Sequence, residues 1–176
     1  MKTKRLVLIG LFSAICFIGT FLHIPIDFGG SSTMIHLGTT AIFISAIFIG
    51  KDAGWAGAIG CALFDAMNPK FAAWVLPTFI IKGLTGFVVG YIAFMFAKRG
   101  NNLVQNIIAF IAGGVVSLLG YFIVNWLVFV GFYPALFKMI SSLITTGLGV
   151  AITIPIAAII KPIVNKSGLK LDAYEN

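Results

Sequence analysis

"CALFDAMNPKFAAWVLPTFIIKGLTG", residues 61–86, contains the end of one apolar segment, a short Asn-Pro-Lys turn and the start of the next apolar segment. Because a membrane helix needs about 20 mostly apolar residues, this pattern predicts two neighbouring membrane helices joined by a turn. The stretch also holds three charged residues, Asp65, Lys70 and Lys82, where the segments around it hold none. A charge inside a membrane segment is a candidate functional residue.

The whole chain has the composition of an integral membrane protein. Of its 176 residues, 60% are hydrophobic and 10% are charged, whereas a soluble domain carries about a quarter charged residues. The apolar run near the N-terminus is too long for a secretory signal, so we interpret it as the first membrane helix. We expect a single membrane domain at 1–165 and a polar cytoplasmic tail at 166–176.

The apolar segments predict an all-α, polytopic membrane protein built as a bundle of six transmembrane helices. Gly and Pro residues and short polar turns separate them. The predicted helices cover about 5–22, 34–50, 53–67, 73–97, 103–130 and 134–162. The segment between the first two, 23–33, mixes Pro, Gly, Ser and Asp, which indicates an irregular loop. That loop is either a plain connector or a lid over a pocket.

The basic residues predict the orientation in the bilayer. If the N-terminus lies inside, only Lys70 and Lys138 fall toward the outer side, and Lys82 lies within a helix. The inner side then holds nine basic residues: Lys2, Lys4, Arg5, Lys51, Lys98, Arg99, Lys161, Lys166 and Lys170. This bias predicts a multi-pass protein of the cell membrane with both termini in the cytoplasm. It also accounts for the net charge of +7 without a nucleic-acid partner.

The candidate ligand site lies around the opening stretch. Trp74, Thr78 and Lys82 are spaced four residues apart and so share one helix face. Lys82 lies about 12 Å along the helix axis from Trp74, which is deep for an isolated lysine. Asp65 near the end of the preceding helix and Asn68 in the turn complete the group. Either Asp65 and Lys82 form a structural ion pair or they line a pocket, and the two possibilities are compatible.

Further polar candidates lie on other helices. Tyr121 and Asn125 share a face of the fifth helix, and His36 lies at the outer end of the second. Each has a structural alternative, such as a hydrogen bond between helices. The sequence contains no catalytic triad pattern, no phosphate-binding loop and no metal-ligand spacing, so we expect no catalytic residues, metal or cofactor. Gly10 and Ala14 form a small-residue face that serves internal packing or a partner.

Residues 36–90 resemble the substrate-binding S component of energy-coupling factor (ECF) vitamin transporters. The resemblance rests on His-Leu-Gly at 36–38, the glycine-rich helix that ends in Asp65, and the Trp…Pro-Thr…Ile-Lys-Gly helix containing Lys82. It implies capture of a vitamin at the outer face and docking to a transmembrane coupling subunit with two ATPase subunits. It also implies that Gly10 and Ala14 form the docking face and that 23–33 gates the site.

Within that family, this set of residues looks closest to members assigned to pyridoxine or hydroxymethylpyrimidine, with riboflavin as the runner-up. Two alternatives come from other classes of protein. One is a small membrane enzyme that uses Asp65 and Lys82 as acid and base. The other is an assembly protein in which these residues are only an ion pair.

Overall fold

The computed structural model describes residues 2–28 and 31–167. Within these ranges the chain forms six α-helices and one two-stranded sheet. In chain order they are α1 (Lys2–Phe21), β1 (His23–Phe28), β2 (Ser31–His36), α2 (Gly38–Ile49), α3 (Ala53–Met67), α4 (Val75–Phe94), α5 (Leu103–Val124) and α6 (Phe132–Lys166). Most of the predicted tail, 168–176, lies outside the described residues.

In the described part of the chain, five helical segments are long and apolar enough to cross a membrane. One of them, Gly38–Met67, contains both α2 and α3. The protein is therefore a helical polytopic membrane protein. The number of six transmembrane helices, the single domain at 1–165 and the cytoplasmic position of both termini remain predictions.

Helix α2 occupies the centre of the bundle. Every residue of α2 except Ile44 is buried, as expected for a helix that is apolar on all sides. It packs against α1, α3, α4 and α6. Gly50, with a φ of +58°, ends α2 and turns the chain into α3, which runs back so that Gly57 lies against Ile42. Because α2 does not face lipid, its length of about 18 Å does not have to match the hydrocarbon thickness.

Helices α3 and α4 pack with their backbones in direct contact, a contact that we call the glycine seam. A Cβ atom on Gly86 would collide with the carbonyl oxygen of Ala53 at the start of α3, and one on Gly90 with that of Gly50 in the α2–α3 turn. Small residues allow such close approach between membrane helices. The seam fixes the position of Asp65 on α3 relative to Lys82 on α4.

Four chain segments meet at one end of the bundle, which we call the basic end. Arg5 on α1 donates two hydrogen bonds to Asp52 in the α2–α3 turn, at 2.7 and 2.6 Å. Lys161 on α6 donates to the carbonyl oxygen of Ile47 on α2 at 2.6 Å. The Asn165 side chain of α6 donates to Asn101, just before α5, at 2.7 Å. The other end of the bundle carries the sheet, and we call it the hairpin end.

The prediction of an irregular loop at 23–33 is wrong. Strands β1 and β2 pair in antiparallel register, with His23 opposite His36 and Phe28 opposite Ser31. The second helix was expected to begin at about 34, but it begins at Gly38, because the backbone of Ser31–His36 pairs with β1 instead. His36 therefore ends a strand and does not lie in a helix. Whether the hairpin gates a site stays a prediction.

The last turns of the predicted fifth helix also differ from a regular helix. The described α5 ends at Val124, and a π-helical turn follows over Asn125–Val130. Such wide turns occur often at functional sites because they redirect side chains. Here the turn begins at Asn125, one of the predicted site residues.

Candidate functional site

A cavity opens at the hairpin end of the bundle. Counted together with the open space at its mouth, its volume is about 620 Å³. Side chains from β2 and from all helices except α1 line it. Among them are seven of the eight residues that the sequence proposed: His36, Asp65, Trp74, Thr78, Lys82, Tyr121 and Asn125.

Lys82 lies at the inner wall of the cavity and is only 2% exposed. Its ammonium nitrogen donates to Thr39 Oγ1 at 2.8 Å and lies 3.5 Å from Ser117 Oγ. The same nitrogen lies 5.2 Å from the centre of the Tyr121 ring, a cation–π distance. The charge of Lys82 is thus held by hydroxyl groups and an aromatic face.

The alternative of a structural Asp65–Lys82 ion pair is wrong. Among the described residues, Lys82 reaches no carboxylate within ion-pair distance, and Asp52 is the partner of Arg5. The reason is geometric. The glycine seam sets the spacing of α3 and α4, and the side chain of Lys82 extends to Thr39 on α2 instead.

Asp65 belongs to a short chain of polar contacts on the other side of the cavity. Its side chain is 2% exposed and is hydrogen-bonded to the side chain of Thr78. The phenol of Tyr121 lies 3.3 Å from Thr78 Oγ1 and donates to it. Buried polar groups of this kind are stabilised by one another. These hydrogen bonds hold the Asp65 carboxylate at the cavity wall.

Two buried oxygen atoms in the cavity wall have no hydrogen-bond partner among the described residues. Asn125 donates through Nδ2 to the carbonyl oxygen of Tyr121 at 2.8 Å, but its Oδ1 accepts nothing. The hydroxyl of Thr145 on α6 is also without a partner. Most buried polar atoms in proteins are hydrogen-bonded, so exceptions require an explanation. A ligand or water that donates to these oxygens supplies one.

An aromatic wall lies beside the polar groups. The Trp74 ring stacks on Phe129 with ring centres 4.4 Å apart, and it lies 5.7 Å from the Tyr121 ring. Lys138 of α6 places its ammonium nitrogen 6.0 Å from the Trp74 ring centre. These rings give the cavity a flat apolar surface suited to a planar ligand.

His36 contributes a neutral imidazole to the rim. Its Nδ1 accepts a hydrogen bond from the backbone N–H of Gly38 at 3.0 Å. Burial lowers the pKa of His36 well below its usual value, and the nearby charges of Lys82 and His23 lower it further. The ring is therefore uncharged at neutral pH and can both donate and accept.

Asn68 is the proposed site residue that does not line the cavity. Its Oδ1 accepts from the backbone N–H of Lys70 at 3.1 Å, and its carbonyl oxygen accepts from Phe71. Asn before Pro in a turn favours this local bonding, so Asn68 shapes the α3–α4 connection.

Sequence reasoning missed the contribution of α6 to the cavity. Besides Lys138, whose position the sequence left open, α6 supplies Ser142, Thr145 and Thr146 to the lining. Residues four, seven and eight positions apart lie on one helix face. A search for polar residues at this spacing in an apolar helix would have found them.

The proposed docking residues lie away from the cavity. Gly10 and Ala14 are both exposed on α1. A Cβ atom at Gly10 would meet no atom within 4 Å. This face of α1 is thus not used for packing within the described chain.

A helical membrane protein with a buried, polar and aromatic cavity at one end has the features of a membrane-embedded substrate-binding protein. Residues 1–166 match the model of the family described as "ECF-type riboflavin transporter, S component". The chain belongs to this family, which confirms the resemblance found in the sequence. It is a transporter subunit and not an enzyme, so the hypothesis of an acid–base membrane enzyme is wrong.

A curated relative is an uncharacterised protein encoded in the gap 3′ region of Pyrococcus woesei. It is 28% identical over 135 residues, which cover 73% of this chain and 87% of the relative.

Proposed function

We propose that this chain is the high-affinity substrate-binding subunit of an ECF-type importer in the cell membrane. In this proposal it captures a small vitamin or vitamin precursor of the pyridoxine or hydroxymethylpyrimidine type at the outer face. A transmembrane coupling subunit with two ATPase subunits then drives delivery to the cytoplasm. In the same proposal both termini are cytoplasmic, so the hairpin end faces outward.

The single observation that carries the proposal is the composition of the cavity at the hairpin end. It combines a carboxylate, an ammonium, an amide and two aromatic rings in one buried space, from Asp65, Lys82, Asn125, Trp74 and Tyr121. Each polar group in such a site fixes one feature of a ligand. A planar heterocycle with ring nitrogens and hydroxyl groups matches this set.

Tyr121 connects the two charged parts of the cavity wall. Its ring centre lies 5.2 Å from the Lys82 ammonium nitrogen, and its phenol donates to the Thr78 hydroxyl that bonds to Asp65. A planar ligand beside Tyr121 would therefore lie close to both charged groups. Riboflavin remains the second candidate, because the matching family is named for riboflavin transport, and its three fused rings would require the open mouth of the cavity as well.

The identity of the ligand can be tested directly. The protein is purified from cells grown in rich medium and denatured, and released small molecules are identified by mass spectrometry. We expect a pyridine or pyrimidine vitamin. A yellow preparation that releases riboflavin would establish the second candidate, and no release together with no thermal shift from any vitamin would contradict the proposal.

The docking part of the proposal has its own test. Because Gly10 faces open space, Gly10→Leu should fold and bind ligand normally, yet it should no longer retain the coupling and ATPase subunits in a pull-down. Gly147→Leu is the matched control, since Gly147 on α6 also has nothing within 4 Å of a Cβ position. Equal retention of the partners by the two variants would argue against docking through Gly10 and Ala14.

A further inference from the structure

Two opposite charges share the cavity without direct contact between them. Asp65 and Lys82 are both 2% exposed and both line the cavity, yet they form no ion pair within the described chain. Burial of an unpaired charge is costly, and proteins normally pair such groups or bond them fully. The space between the two groups is therefore matched to something that carries complementary charges.

Both groups retain bonding capacity toward the cavity. An ammonium has three N–H donors. Thr39 accepts a hydrogen bond from Lys82 at 2.8 Å, and Ser117 accepts a longer one at 3.5 Å. A carboxylate accepts several hydrogen bonds, and Thr78 is its side-chain partner here. One further acceptor near Lys82 and one further donor near Asp65 would complete the hydrogen bonding of both groups.

We propose that the site binds its ligand as a zwitterion, with an anionic ring oxygen against Lys82 and a cationic ring N–H against Asp65. The inference rests on the proposed function and names the ligand class within it. A 3-hydroxypyridine, the ring of pyridoxine, forms this zwitterion by transfer of one proton: the ring O–H bond breaks and a ring N–H bond forms. An aminopyrimidine or a flavin has no equivalent tautomer.

The order of the charges along α4 sets the orientation of the ring. Lys82 lies one helical turn, about 6 Å, deeper than Thr78, the partner of Asp65. The anionic oxygen therefore enters first, and the ring N–H faces the hairpin end. Trp74 and Tyr121 lie beside the ring, and the neutral His36 adds no charge. Lys138, which is half-buried beside Trp74, adds positive potential near the mouth.

The same arrangement explains how the site would select this tautomer. In surroundings of low polarity an isolated 3-hydroxypyridine prefers its neutral form, because separated charges are poorly solvated there. A fixed ammonium and a fixed carboxylate replace water at both poles at once. Hydrogen bonds to ionised groups are about twice as strong as neutral ones. In this orientation the zwitterion forms such a bond at both ends, whereas the neutral tautomer forms one only at Lys82, because its unprotonated ring nitrogen and the Asp65 carboxylate are both acceptors.

The test is an absorption spectrum of bound pyridoxine. The zwitterion absorbs at longer wavelength than the neutral tautomer, outside the band of the protein's aromatic residues. The complex with pyridoxine in detergent, after removal of unbound ligand, should show the absorption spectrum of the zwitterion. The 3-O-methyl ether of pyridoxine has no hydroxyl proton to transfer, and we expect it to bind about 10- to 100-fold more weakly.

Two variants test the contacts at the two charged ends of the ligand one at a time. Asp65→Asn and Lys82→Met should each weaken pyridoxine binding about 10- to 100-fold and should shift the bound spectrum toward the neutral form. Lys70→Met and Asp172→Asn are the matched controls, because Lys70 is exposed in the α3–α4 turn and Asp172 lies in the C-terminal tail. Thermal melting of all four variants establishes that each is folded.

The outcomes distinguish this inference from the proposed function. If pyridoxine binds tightly as the neutral tautomer, or if the methyl ether binds equally well, the zwitterion inference is wrong and the proposed function stands. Tight binding of hydroxymethylpyrimidine in preference to pyridoxine would likewise contradict the zwitterion and leave the proposed function intact. If none of these compounds and no other vitamin binds, the proposed function itself fails.

Discussion

Lys82 and Lys161 are two buried lysines at opposite ends of one bundle, and their surroundings differ. Lys161, 8% exposed at the basic end, donates to the Ile47 carbonyl oxygen and lies 5.0 and 5.9 Å from the Phe48 and Phe94 rings. Lys82, 2% exposed at the hairpin end, contacts two side-chain hydroxyls and a Tyr ring beside an open cavity.

The difference separates a structural cation from a ligand-binding one. The backbone carbonyls near the end of α2 carry partial negative charge, and a lysine there stabilises the helix. Hydroxyl groups solvate the charge of Lys82 only in part. A buried charge alone therefore does not identify a site. The useful observation is a buried charge whose partners are few and whose free side faces a cavity.

The largest expected effect is on ligand affinity in Lys82→Met. Loss of the ammonium partner should weaken ligand binding about 10- to 100-fold, which corresponds to about 1.4 to 2.8 kcal/mol of binding free energy. The melting temperature of the empty protein should stay unchanged or rise, since a buried charge is replaced by an apolar chain of similar length. Calorimetric titration and thermal melting in detergent measure both, with Lys70→Met as control. A large loss of stability would place Lys82 with Lys161 as a structural residue.

Lys161→Met should show the opposite pattern. The substitution removes a charged hydrogen bond to the end of α2, so the free energy of unfolding should fall by about 1.5 to 3 kcal/mol. Ligand affinity should change less than twofold, because the basic end is remote from the cavity. Denaturation of Lys161→Met is compared with that of Lys98→Met, an exposed lysine near the same end. Equal stability of the two variants would contradict the structural role.

Thr145→Val tests the unpartnered oxygens of the cavity. Removal of a buried hydroxyl that bonds to nothing should stabilise the empty protein by about 1 kcal/mol and weaken ligand binding several-fold. Thr153→Val on the same helix is the control, because its hydroxyl donates to the Gly149 carbonyl oxygen at 2.6 Å. A lower melting temperature for Thr145→Val than for Thr153→Val would mean that Thr145 is satisfied in the empty protein.

The last expected effect is a dependence of stability on pH that comes from His36. Its pKa in the folded protein lies below the usual 6.5, so the unfolded chain binds more protons once the pH falls below that value. Stability is therefore fully present above 6.5 and falls with decreasing pH by at most about 1.4 kcal/mol per pH unit. Melting curves across this range should be flatter for His36→Gln. If stability depends on pH in the same way in both proteins, His36 is not the source of the pH dependence.

Much of the helical architecture could be predicted from apolar length alone, because lipid requires continuous helices. The hairpin was missed, although its signal is present: two six-residue runs flank Gly29-Gly30, a pair that favours a tight hairpin turn. The interpretation as a loop gave more weight to Pro and Ser than to this pattern. The start of α2 was misplaced for the same reason.

The candidate site could be predicted in part, because charges such as Asp65 and Lys82 stand out against apolar sequence. Their separation could not be predicted, since it depends on how closely α3 and α4 approach. The Ser and Thr residues of α6 were missed because hydroxyl groups occur in many membrane helices without a ligand. Asn68 was included because it lies close in sequence to the site, but it takes part in the turn.

The glycine seam has a mechanical consequence. With backbone against backbone at Gly86 and Gly90, α3 and α4 have no layer of flexible side chains through which to slide. We therefore expect α3 and α4 to move as one unit, so that Asp65 and Lys82 keep their spacing when the protein tilts in the bilayer. Entry and exit of a ligand would then require movement of other elements, and the β1–β2 hairpin is the predicted gate.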